Sequence, residues 1–479
     1  MMKEKIRARF AALCSADSRL RLPLGAGLAL LLAALLALHN VSSGPLGNLN
    51  DIGGWDNRAL FIAMTACVHA AVLMAAAAMG RVSLPRMALR QLILTAGLYI
   101  LLQGINQKTF AYVQQVQPIV RAMDGGGLAA GLAMESNLSA PALTLLYLVT
   151  RGPVYDMYLL KLLAIACMLG MALLAGRAAD NGGLGLRAEV LMALTVILPQ
   201  GFLNAACTAH IEIAAVLLLA VSLTLAFDRH PRYRAACMVY GASAALSGAV
   251  LYALPVFALL AVKKRIDRRW LAAACCLPFA ACLPAAFAGM GAEAFSSLLR
   301  ANFAVQDYAA GTPGLLSMLP RANPAQMPEM FVLSRIPSLD FETNAQQFYQ
   351  QGHFEIMSMG LTLMGLALYM GACALVLRSN KPALHRAMIL ALSALMVCPA
   401  ATTSCWLLLD VLCLYAVLSA PGLRLPACMV LFATAGGSCY PATGETLLPL
   451  FAASALCLAA LCMLLDVIPM NRTQEAAHE

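Results

Sequence analysis

The feature that most limits this chain is a succession of apolar runs, each about as long as a bilayer is thick. Residues 22–38, 59–79, 162–176 and 447–465 contain no Asp, Glu, Lys or Arg. A helix needs roughly 20 apolar residues to cross the hydrocarbon core. Of 479 residues, 61% are hydrophobic and 11% charged, with a mean hydropathy of +0.78. Soluble domains carry about 25% charged residues. The expectation is an all-α, polytopic transmembrane bundle of about 12–14 membrane helices, with interfacial helices on its external loops.

Net charge is +9. In a membrane chain basic residues mark the cytoplasmic loops, so the charge reports topology and points to no nucleic-acid partner. The 16 cysteines fall mostly inside apolar runs without metal-ligand spacing, so they read as small apolar residues and no metal is expected. Lys3, Lys5, Arg7, Arg9, Arg19 and Arg21 precede an apolar run with no small-residue cleavage site, which reads as a retained anchor.

With that end in the cytoplasm, two helices (22–39 and 58–80) form an N-terminal unit, 1–89, ahead of a main domain, 90–466, and a cytoplasmic tail, 467–479. Residues 106–140 are too polar to span and too long for a turn; 141–150 form a short interfacial or re-entrant helix. Helices over 155–176 and 188–203 precede a polar turn, 204–212. Residues 235–262 carry basic clusters at both ends, which suits a hairpin broken near Ser247-Gly248. A helix over 270–289 then leads to a long external segment, 291–352, rich in Pro and Gln. Alternation of basic loops places 106–140, 204–212, 291–352 and 400–405 on one extracytoplasmic face.

Four blocks on this face resemble, in order and spacing, the GT-C superfamily of integral membrane glycosyltransferases, closest to its bacterial mannosyltransferase-like branch. That branch reads N-x-x-x-W-x-Q-x-D between two helices; from Asn204 the spacing matches, with Thr208, His210 and Glu212 at the last three positions. A second block, P-x-M-H-E-R-Y-F followed by Asp-Val-Leu, aligns with Pro399 and Asp410-Val411-Leu412, and Thr402-Thr403-Ser404 stand where the family has His-Glu-Arg. Tyr112, Pro118, Gly126-Gly127, Ser136-Asn137 and Pro141 echo the first external loop, with Ala111 at or near the family's catalytic Asp. Gly311–Pro320 echoes a later external segment. The similarity covers about residues 90–466.

The resemblance implies transfer of a sugar from a polyprenyl-phosphate donor to a lipid or glycan acceptor of the cell envelope, without a cofactor. Such a reaction needs a carboxylate base and donors on the leaving phosphate. The candidate bases are Glu212, Asp124 and Glu135. Asn204, Thr208, His210, Asp410, Arg121 and Arg321 are the candidates for substrate contact.

Each has a plainer reading beside it. Glu212 also reads as a helix-start carboxylate, Asp124 before three glycines as turn chemistry, and Glu135 as solvated. Asp410 reads as an intramembrane acid with a site role or a structural hydrogen bond. His210 reads first as an interfacial imidazole, and its i, i+2 spacing from Glu212 puts the two on different helix faces. Lys161, which matches a family lysine, reads most simply as snorkelling. With the reactive residues replaced, two alternatives stand beside the transferase: a catalytically inactive homologue binding lipid or a partner, and a lipid-linked-sugar transporter.

Overall fold

The computed structural model describes residues 19–465 except 43–54, 80–81, 135–137, 152–155, 229, 263–264, 304–311, 319–329, 336–352, 399–401 and 445–446, with a few positions before residue 19. The fold is helical. Two short antiparallel strands, Met330–Arg335 and His353–Met357, are the exception among the described residues.

Among the described residues four helices are long and apolar enough to cross a membrane: Arg21–Ser42, Asn57–Ala78, Met157–Asn181 and Arg268–Leu299. A bent pair, Arg187–Val196 with Pro199–Cys207, makes a fifth if counted as one span. Six further apolar helices have 10–17 residues. The expected 12–14 crossings are therefore not all full-length helices. Breaks divide several apolar runs that read as continuous.

Prolines mark several of these boundaries. Pro199 has no N–H to continue the helix before it, so the chain bends by 40° between Val196 and Pro199. Helix α1 (Leu84–Leu102) and helix α2 (Ala140–Thr150) both start with proline in the first turn, and the Ser139 hydroxyl caps α2 by accepting from Ala142 N at 3.3 Å.

The stretch 106–140, expected as a loop, is largely helical: a π-turn at Tyr112–Val116 runs into helix α3 (Gln117–Ala133). Its glycine run 125–127 stays inside α3, and only Gly127, with φ 70°, departs from helical geometry. The segment expected to be external from residue 291 begins as helix α4 (Gly291–Phe303). Residues 235–262 break at Ser247, between helix α5 (Tyr233–Leu246) and helix α6 (Leu254–Val262). Arg234, at the start of α5, stacks over Trp270, near the start of helix α7 (Arg268–Ala280), at 5.6 Å. Residues 247–262 thus return the chain to the end from which α5 set out.

Two large cores result. One joins the N-terminal helices to Met157–Asn181 and Arg187–Val196; the other joins α5 and α6 to the C-terminal helices. At one end of the first core, the Arg86 and Arg90 guanidiniums hold Asp180 and Glu189 at 2.8–3.2 Å. A carboxylate buried beside apolar helices is costly unless paired, and here both acids are paired.

Helix contact is closest where glycine allows it. A Cβ on Gly241 of α5 would lie 2.7 Å from the Ala274 carbonyl oxygen of α7, whereas one on Gly27 would meet nothing within 4 Å. Gly241→Ala should destabilise the protein by roughly 1–3 kcal/mol, seen as a lower unfolding temperature in detergent than Gly27→Ala. Equal unfolding temperatures for the two variants would contradict this packing.

Candidate functional site

The 198–212 stretch forms the centre of the site. After the break at Pro199 the chain makes a π-turn over Phe202–Cys207, and the Thr208 hydroxyl donates to Leu203 O at 2.9 Å. Ala209 then adopts φ 60°, a left-handed conformation that costs a residue with a Cβ about 1–2 kcal/mol. Strain of this kind persists where the surroundings over-determine the backbone, and it concentrates at functional positions. The reversal brings His210 N to Asn204 O at 3.1 Å, and helix α8 (Glu212–Phe227) starts two residues later.

Asn204 ties this turn to the second half of the chain. Its Nδ2 donates to Gln200 O at 2.8 Å, and its Oδ1 accepts from the Thr403 hydroxyl at 2.6 Å. Thr403 opens a 3-10 turn, Thr403–Trp406, where Thr402 Oγ1 lies 2.9 Å from Ser404 Oγ and 3.4 Å from Cys405 Sγ. Ser247, at the break after α5, lies beside Cys405. Deeper in, Gln200 Nε2 donates to Thr434 Oγ1 at 2.8 Å, and that hydroxyl reaches Asp410 Oδ1 at 2.7 Å. Of the two readings of Asp410, the hydrogen bond to a neighbouring helix is present; its Oδ2 is buried without a partner.

Lys161 supports the turn from below. It does not snorkel: it is 0% exposed, and its ammonium donates to the carbonyls of Gly104, Ile105 and Gln107. These carbonyls lie in the turn that follows α1, close to a helix C-terminus whose dipole favours a cation. Gly104 lies against the π-turn, with room for a Cβ only 3.0 Å from Cys207 Sγ.

His210 and Glu212 meet. The i, i+2 expectation presumed a helix at both positions, but His210 precedes α8 in the reversed turn, so its Nδ1 lies 3.5 Å from Glu212 Oε2. That is ion-pair distance and slightly long for a hydrogen bond. Both are buried, at 5% and 8% exposure, and His210 Nε2 has no partner. An imidazole with one nitrogen beside a carboxylate and the other unengaged can hold a tautomer and accept a proton. No cluster of three metal-binding side chains occurs among the described residues.

The other candidates lie apart. Asp124 and Arg121 are exposed on α3, while Ile119, Val120 and Met123 of the same helix are buried beside Ala209 and Ile211. Glu135 and Arg321 lie outside the described residues, as do Ser136-Asn137, Pro399, residues 319–329 and 336–352, and the tail. Leu298 of α4 joins the same small core, so parts of 106–140, 204–212 and 291–352 meet there, and Thr403 adds the fourth segment. Gln200 and Ser247 are not among the site residues expected from sequence, where Ser247 marks only a helix break and the hydroxyl run 402–404 only a loss of the family's residues. Pro199 was the visible signal for Gln200, since a proline break frees backbone groups that polar side chains must satisfy.

Comparison of the chain with protein-family models, with curated proteins and with solved structures finds no match.

Thr403→Val removes the donor to Asn204 Oδ1 and leaves a buried acceptor unpaired. A loss of about 1–3 kcal/mol is expected, largely restored by Thr403→Ser. Thermal unfolding in detergent reads both, and a silent Thr403→Val would show that the contact does not form.

Proposed function

We propose that this chain is a multi-pass protein of the cell membrane with both termini in the cytoplasm. At its extracytoplasmic end it transfers a sugar from a polyprenyl phosphate to a hydroxyl of an envelope lipid or glycan. The His210–Glu212 pair carries the reading: a carboxylate beside one imidazole nitrogen and an unengaged second nitrogen, buried where the four segments meet. The GT-C-like spacing from Asn204 to Glu212 is its second support.

In this reaction His210 Nε2 takes the proton of the acceptor hydroxyl as its oxygen bonds to the anomeric carbon. The bond from that carbon to the phosphate oxygen breaks, and the polyprenyl phosphate leaves with the electron pair. Glu212 stabilises the imidazolium and keeps the ring oriented, as a carboxylate does for a histidine base. Glu212 is then a positioning residue, and the base assigned to it in sequence passes to its neighbour. The Thr402 and Ser404 hydroxyls, 2.9 Å apart, are the donors for the phosphate.

One observation favours a second reading, a homologue that binds the donor without turnover. Lys161 spends its ammonium donors on backbone carbonyls. No arginine forms a hydrogen bond or ion pair with the site side chains among the described residues. Neutral hydroxyls stabilise a leaving phosphate less than charged donors do.

Transfer from several polyprenyl-phosphate sugars by protein reconstituted in liposomes separates the two. Wild type should transfer, and His210→Ala should lower the rate by about 10²–10⁴-fold while leaving donor binding intact. Binding without transfer selects the second reading. Neither binding nor transfer, or a His210→Ala variant as fast as wild type, overturns the first.

A further inference from the structure

A cavity of about 440 Å³ lies far from His210, at the end of the bundle that carries the arginine–carboxylate network. None of the candidate site residues lines it. It opens at the seam between the two cores: Met171, Leu191 and Ala220 belong to one, Tyr369 and Val376 to the other. Its walls are almost wholly apolar, and Thr224, one of the few polar residues there, gives its hydroxyl to Ala220 O at 2.8 Å.

Arg386 is the only charged residue in the lining among the described residues. It lies in the first turn of helix α9 (Ala383–Val397). The acids nearby are taken: Asp180 and Glu189 by Arg86 and Arg90, and Asp228 by Arg177 at 2.6 Å. Other cations around this end are engaged too. Lys381 donates to Leu464 O and Leu465 O, and Arg187 to Leu418 O at 3.0 Å. Among the described residues no carboxylate lies within ion-pair distance of Arg386. An apolar pocket of ordinary ligand-binding size thus opens beside half-buried Arg386, which has no counter-ion among the described residues.

We propose that this cavity holds one acyl chain of an anionic phospholipid, with its phosphate on Arg386. An apolar chain fills a wall that offers nothing polar, and a guanidinium binds phosphate through paired N–H donors. The lipid bridges the two cores at the end opposite the sugar site. The proposal does not rest on His210 or on any transfer activity, so the two can fail separately.

The test is native mass spectrometry of protein released from nanodiscs of phosphatidylglycerol and phosphatidylcholine in equal parts. Wild type should retain one phosphatidylglycerol. Arg386→Gln should retain it about tenfold less or weaker still, and Arg386→Lys should recover part of the loss. Ala391→Phe, which fills the cavity from α9, should abolish retention; size-exclusion elution and melting temperature show that each variant is folded. Equal retention of phosphatidylcholine, no retained lipid, undiminished retention by folded Arg386→Gln, or displacement of the lipid by inorganic phosphate alone would each overturn the proposal.

Discussion

A lysine with no exposure to solvent has to be compensated by its neighbours, and Lys161 is compensated by the carbonyls of the turn that follows α1. The arrangement serves both partners. The carbonyls of the turn gain a donor, and the ammonium replaces its water. It also fixes where the turn after α1 sits, and Gly104 in that turn lies against Ala206 and Cys207. The π-turn over Phe202–Cys207 therefore rests on a clamp made by a residue more than forty positions upstream, and the reversal that brings His210 to Glu212 starts from that π-turn.

The same constraint explains why the site is built from broken helices. In apolar surroundings a backbone group freed by a proline must find a partner inside the protein. Pro199 frees such groups, and Gln200, Asn204 and Thr208 all make side-chain hydrogen bonds within that segment or to Thr434 and Thr403. The polar residues that look costly in an apolar chain are thus the ones that join its two halves. The cavity at the other end shows the converse: its walls are almost wholly apolar, and no carboxylate among the described residues pairs with the arginine that lines it.

Much of the architecture was legible from periodicity and charge. Apolar runs located the helices, basic clusters placed the break at Ser247, and charge alternation grouped four segments of which parts meet around Asn204 and Ala209. What was hidden depends on backbone geometry that spacing cannot express. His210 and Glu212 looked divergent because a helix was presumed where Ala209 reverses the chain. Asp124 looked like a turn residue because three glycines follow it, but flanking packing keeps most of α3 helical. The Asn204–Thr403 bond joins residues 199 positions apart and left no local signal. Lys161 looked like a surface cation because its partners are main-chain carbonyls, which no side-chain motif announces.

The central claim is that an oriented imidazole at this end meets the reacting sugar. It is tested most directly by a cryo-electron microscopy structure with a phosphonate analogue of a polyprenyl-phosphate sugar bound. The account predicts density for the sugar within hydrogen-bond reach of His210 Nε2 and close to Thr402 and Ser404, with the Asn204–Thr403 bond intact. Analogue density elsewhere, with His210 still enclosed by protein, would contradict it.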